Sequence, residues 1–131
     1  MSTQPPVSPG GIRILVIDDE PHIRRMIQWA LEEEGFVVDT AADGQDGLAR
    51  AIGSPPALIV LDMYLPAIDG VGVAERLREA QREPPPVILI TADDRPADLA
   101  RRVGAFAYLR KPFDLDDLLA AVRQGLNASP I

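Results

Sequence analysis

Four short stretches carry side chains suited to chemistry on an anion: Asp18 and Asp19 in IDDE, Asp62 in LIVLDMYLPAIDG, Thr91 in ILITADD and Lys111 in YLRKPF. The first three stretches close apolar runs. A carboxylate in that position loses hydration unless it is paired or bound to a metal. Converging carboxylates also repel one another and raise at least one pKa. Oxygen-only ligands favour a hard divalent ion, and Mg2+ takes one or two carboxylates while keeping waters. Lys111 adds a compact point charge with several donors. A cation, this lysine and the Thr91 hydroxyl can together hold the outer oxygens of a phosphoryl group while a carboxylate attacks in line. Asp62, closing the most central run, is the natural acceptor.

Each of these residues has an ordinary reading as well. Asp18 and Asp19 suit a helix N-cap and first turn ahead of Pro21. Thr91 alone is a strand-end hydroxyl, and Lys111 alone a solvated lysine before a turn proline. Asp62 resists this treatment because of the run it ends. His22, the single histidine, reads as a solvated helix-start residue with no catalytic part.

The elements that must position these groups follow from periodicity. Strand-length apolar runs occupy 12–17, 36–40, 57–61, 86–90 and 105–109. Between and after them, segments 21–34, 44–52, 70–82, 96–103 and 114–126 have helical spacing, with Gly35 stopping the first and 96–103 the weakest. Strict alternation of strand and helix calls for an α/β fold: a parallel sheet with helices on both faces. In such sheets function gathers beyond the carboxyl ends of the strands, which is where all four stretches fall.

The 131 residues amount to one domain, expected at 12–126, with a flexible Pro-, Ser- and Gly-rich arm at 1–11 and a tail at 127–131. The net charge of -7 disfavours nucleic acid and anionic membrane surfaces. Cysteine is absent, which excludes disulfides, thiolate metal sites and cysteine nucleophiles. No run approaches the roughly 18 apolar residues of a membrane helix, and no leader is evident. A soluble, cytoplasmic protein is expected.

With LVIDDE, LIVLDMYLPAIDG, ILITA and YLRKPF in this order on the right elements, residues 12 to 126 resemble the receiver domain of two-component response regulators. The resemblance implies a flavodoxin-like (βα)5 three-layer sandwich whose five-stranded sheet has the order 2-1-3-4-5. It implies that Asp19 binds Mg2+ directly, Asp18 mainly through water, and the backbone carbonyl of Tyr64 also. Asp62 would accept a phosphoryl group from a histidine kinase or histidine phosphotransfer protein. Thr91 and Lys111 would bind phosphoryl oxygens, the Lys111–Pro112 bond would be cis, and Tyr108 would report the conformational change to a downstream protein target. Such a protein catalyses its own phosphorylation and dephosphorylation as a switch.

Two family positions that tune dephosphorylation fall on Tyr64, a candidate shield, and Asp93, a candidate water-orienting group. Trp29 lies about 120° round its helix from the stripe of Ile23, Ile27, Ala30 and Leu31. With Ile23 and Met26 it forms a strip where receivers dock a phosphodonor helix. The 20 positions from Thr91 to Lys111 are fewer than the family pattern implies, so a short or irregular fourth helix is expected and the usual output face is in doubt. Two other readings stand beside this one. The first is a receiver module cut from a larger regulator or hybrid kinase. The second is an aspartyl-nucleophile phosphatase of the haloacid-dehalogenase type, disfavoured because Pro21 stands where its general acid belongs.

Overall fold

The computed structural model describes residues 11–127. The expected arm at 1–11 and tail at 127–131 therefore lie almost wholly outside the described residues. Five strands and five helices alternate: β1 (Arg13–Ile17), α1 (Pro21–Glu33), β2 (Val37–Ala41), α2 (Gly44–Gly53), β3 (Leu58–Asp62), α3 (Gly70–Ala80), β4 (Val87–Thr91), α4 (Pro96–Val103), β5 (Ala107–Arg110) and α5 (Leu115–Asn127). The strands form one parallel sheet in the order β2-β1-β3-β4-β5. This is the doubly wound, flavodoxin-like arrangement.

Successive strand side chains point to opposite faces, and the core divides accordingly. Leu15, Ile17, Ile59, Leu61, Val87 and Leu89 join Val73, Leu77, Leu99 and Val103 from α3 and α4. Their sequence neighbours Ile14, Val16, Leu58, Val60, Ile88 and Ile90 join Ile27 and Leu31 of α1 and Leu118 and Val122 of α5. Because β1, β3 and β4 are covered on both faces, they are continuous apolar runs, as a parallel interior requires. Edge strands β2 and β5 are only partly buried.

The short fourth helix is regular. Pro96 occupies its first turn, where a missing N–H costs nothing, and Gly104 ends it in the left-handed conformation at φ 79°. Arg78 of α3 donates to the carbonyl of Val103, holding that end of the helix at 2.8 Å. Expected helix boundaries match the observed ones for α4 and differ by one or two residues for the others, the usual fraying of a terminal turn.

The loop between β3 and α3 is built tightly over the end of α2. Gly70 N–H donates to Met63 O at 2.8 Å, and Asp69 caps α3 by accepting from Gly72 N–H. Ala67 sits in the left-handed region at φ 68°, a conformation that favours glycine. A Cβ on Gly44, the first residue of α2, would stand 2.2 Å from the carbonyl oxygen of Ile68. Gly44→Ala should therefore cost about 1–3 kcal/mol despite the higher helix propensity of alanine. Urea unfolding of the two proteins measures it, and unchanged stability would contradict the packing described.

Candidate functional site

Strand register brings the sequence candidates to one end of the sheet. Asp62 pairs with Ile90, one residue before Thr91, and Thr91 pairs with Arg110, one residue before Lys111. The ladder continues past the strands: Met63 N–H donates to Ile90 O at 3.1 Å, and Lys111 N–H to Thr91 O at 2.7 Å. On the other side, Asp18 N–H donates to Ala41 O at 3.1 Å, and the Arg24 guanidinium to Asp18 O at 2.7 Å. The backbone on both sides of Asp62 is thus fixed by ordinary sheet bonding. Asp18 and Thr91 are 0% exposed and Asp62 is 4% exposed.

Among these residues, Lys111 is the hub. Its Nζ lies 2.8 Å from Glu20 Oε1, 3.0 Å from Asp18 Oδ2 and 3.2 Å from Asp62 Oδ2. The contacts to Glu20 and Asp62 are hydrogen bonds. The approach to Asp18 has the distance of an ion pair without hydrogen-bond geometry, so Asp18 Oδ2 is buried and unpartnered. Asp18 Oδ1, by contrast, accepts from Glu20 N–H at 2.8 Å. That bond turns the chain so that Glu20, the N-cap of α1, faces the cluster.

The sequence reading did not single out Glu20. A third acid ahead of a proline reads as a first-turn charge, and only the reach of Lys111 reveals its other role. Asp19, expected beside the metal, is exposed and is not one of the converging carboxylates. The structure brings Asp18, Glu20, Asp62 and Lys111 together and places Thr91 at the neighbouring strand end. Tyr108 is exposed on β5, and the Lys111–Pro112 bond is cis. On α1, Trp29 is 61% exposed, Met26 is exposed and Ile23 is partly buried against the core.

Tyr64 and Asp93, read separately in the sequence, meet. The Tyr64 hydroxyl donates to Asp93 Oδ2 at 2.5 Å. Asp93 Oδ1 accepts from Arg95 N–H at 2.9 Å, and Asp93 N–H donates to Thr91 Oγ1 at 3.1 Å. The phenol is held above its ordinary pKa by the carboxylate it bonds, and Asp93 below its own by the same bond.

A divalent cation fits this donor set. Oxygens of Asp18, Glu20 and Asp62 lie within 4.8 Å of one another, and the unpartnered Asp18 oxygen lacks a positive neighbour in hydrogen-bond geometry. Hard oxygen donors of this kind suit Mg2+. Burial, and then the Asp18 charge, push Asp62 up to about 6 against the pull of Lys111. For Lys111, burial works against its charge, but the hydrogen bond to Glu20 and the close Asp18 and Asp62 carboxylates outweigh it and raise the pKa. Glu20 is lowered by its bond to Lys111.

The ordinary carboxyl value is 3.8, so folding disfavours ionised Asp62. That cost is absent where both states are protonated, below about pH 4, and is complete above about pH 6. In chelator, Asp62→Asn should stabilise the protein by roughly 1–3 kcal/mol at pH 7.5, and the gain should vanish near pH 4. Denaturant unfolding at the two pH values measures it; a variant less stable than wild type at pH 7.5 would contradict the charge balance described.

Comparison with known proteins follows the same lines. The family model described as response regulator receiver domain matches residues 14–123. Transcriptional regulatory protein TcrA of Mycobacterium tuberculosis is 46% identical over 125 residues, covering 92% of this chain and 48% of the relative. Response regulator ArlR of Staphylococcus aureus is 38% identical over 120 residues, covering 90% and 54%. The chain spans about half the length of these relatives. The crystal structure of the NtrX receiver domain from Brucella abortus superposes with a TM-score of 0.81 at 31% identity, covering 88% of this chain and 99% of that one. TrrA from Thermotoga maritima, solved in complex with Mg(2+)-BeF, gives 0.78 at 36% identity, covering 87% and 98%. An acidic cluster at the carboxyl end of a 2-1-3-4-5 sheet, with a lysine at its centre, thus accompanies likeness over nearly the whole chain, and the protein belongs to the response regulator receiver domain family.

Proposed function

We propose that this receiver takes a phosphoryl group from a phosphohistidine donor onto Asp62 and thereby switches a protein-interaction surface. One observation carries the reading: a buried carboxylate at the end of the central strand, 3.2 Å from a half-buried lysine and beside a second buried carboxylate, one oxygen of which has no hydrogen-bond partner. A group so placed is poorly solvated and near enough to charged neighbours to orient an incoming anion.

In the transfer, an Asp62 oxygen forms a bond to phosphorus as the phosphorus–nitrogen bond of the donor imidazole breaks. The departing imidazole retains the bonding electrons and takes a proton. Lys111 neutralises one peripheral phosphoryl oxygen, and the Thr91 hydroxyl donates to another. Asp18, Asp19, Asp62 and the Tyr64 backbone carbonyl are the proposed holders of Mg2+, with Glu20 an added member. When bound, Mg2+ supplies positive charge to both the carboxylates and the phosphoryl oxygens. Hydrolysis of the acyl phosphate restores the carboxylate, so the chain is a self-catalysed switch and has no diffusing product beyond inorganic phosphate. The proposed location is the cytoplasm, supported by the lack of cysteine and by family membership.

Phosphorylation biases an existing equilibrium of the domain, with Thr91 and Tyr108 as its moving parts. The proposed donors are a histidine kinase or a histidine phosphotransfer protein docking on Ile23, Met26 and Trp29. The exposure of the last two supports this assignment. The downstream target is a protein that distinguishes the two surfaces. That TcrA is called a transcriptional regulatory protein suggests a regulatory pathway of that kind.

Incubation with Mg2+ and acetyl phosphate should add one phosphoryl mass to the wild type and none to Asp62→Asn, read by intact mass spectrometry. Equal labelling would overturn the assignment. Trp29→Ala should slow transfer from the cognate phosphohistidine protein by roughly tenfold, as loss of an interface aromatic does, and leave labelling by acetyl phosphate as in wild type. Unchanged transfer from the protein donor would remove Trp29 from the docking surface.

A further inference from the structure

We propose that the hydrogen bond from Tyr64 to Asp93 is a latch that ties the acceptor loop to the threonine loop, holding the Thr91 hydroxyl in its unphosphorylated position until the bond opens. The inference rests on the phosphoacceptor reading of Asp62 and adds to it a gate that acts before the chemistry.

Three bonds define the latch. Tyr64 stands two residues beyond Asp62, and Asp93 two residues beyond Thr91 on the adjacent strand. The phenol spans the two loops and donates to Asp93 Oδ2. The other carboxylate oxygen is occupied by Arg95 N–H, and the Asp93 N–H is directed at Thr91 Oγ1. Asp93 is thus fixed through both side-chain oxygens, and its own amide fixes the hydroxyl that must approach a phosphoryl group. A second tie runs from Asp94 to Arg110 at 2.8 Å, holding the same loop to the end of β5.

Sheet bonding pins the strand ends beneath. Thr91 is buried, and its carbonyl accepts the Lys111 N–H at 2.7 Å. Movement of the Thr91 hydroxyl toward Asp62 therefore comes from rotation of its side chain and from residues 92–95, and the latch restrains both through the Asp93 N–H bond to Thr91 Oγ1. Tyr64 is 54% exposed, so the bond lies at the rim, where it can open without disturbing the core. In this role Tyr64 acts through its hydroxyl, and Asp93 is a positioning residue for Thr91. Both functions differ from a simple steric shield, for which the ring alone would suffice.

Tyr64→Phe separates the two, because it keeps the ring and removes the hydroxyl. In the unphosphorylated protein, amide exchange at Asp93 followed by NMR should quicken by roughly two- to tenfold, the factor set by one net hydrogen bond. Labelling by acetyl phosphate with Mg2+ should quicken by a similar factor, since the population with a free Thr91 hydroxyl rises. In an Asp93→Ala background, Tyr64→Phe should have no further effect on labelling. Unchanged exchange, or additive effects of the two substitutions, would overturn the latch. Faster exchange with unchanged labelling would overturn the gating claim. A wild type that takes no label would instead overturn the acceptor reading beneath it, and the exchange result would still report on the bond itself.

Discussion

Three carboxylates and one ammonium at the carboxyl end of the sheet set the terms for everything else in this molecule. Asp18, Glu20 and Asp62 surround Lys111 Nζ within 3.2 Å, and two of the three acids are buried. One positive charge cannot balance them, and burial magnifies the imbalance by removing the solvent that would screen it. The consequences are a raised Asp62, a raised Lys111, and an Asp18 oxygen with no hydrogen-bond partner. A site in this condition gains from a divalent cation and from a ligand whose own negative oxygens engage lysine and metal together.

The fold exists in a form that can sustain such an arrangement. Alternate residues of β1, β3 and β4 fill separate cores on the two faces of the sheet, and this fixes register, since a slip of one residue would exchange the faces. Register in turn places Asp62, Thr91 and Lys111 on neighbouring strand ends. The stability of the site is therefore borrowed from apolar packing well below it. Above it, the β3–α3 loop is anchored by Met63, Leu65 and Ile68 against the core, whereas residues 92–95 belong to neither core cluster and are freer to rearrange.

Much of this was legible in the sequence, and for physical reasons. The runs ILVI, LIVL and VILI announce fully covered strands, and Trp29 falls off its helix stripe by simple periodicity and is exposed as that requires. The strand order came from family resemblance, because parallel pairing leaves no local signature. Glu20 was missed because its role depends on a lysine 91 positions away. The motif implies Asp19 at the metal by its position; in the structure the Asp18 to Glu20 bond directs Glu20 inward, and Asp19 is exposed at the rim of the cluster. The Tyr64–Asp93 bond spans 29 positions and joins two loops, so no spacing rule reveals it. The regular fourth helix shows that a shortened segment is accommodated by Pro96 and Gly104 at its ends without irregularity within it.

The most direct test of Asp62 as the point of chemistry is chemical trapping. Borohydride reduces an aspartyl phosphate to homoserine while leaving free carboxylates intact. After incubation with Mg2+ and a phosphodonor, reduction and peptide sequencing by mass spectrometry read the modified position. Homoserine at position 62 alone is the predicted result. Homoserine at any other aspartate, or a stable phosphate on a hydroxyl, would contradict the assignment.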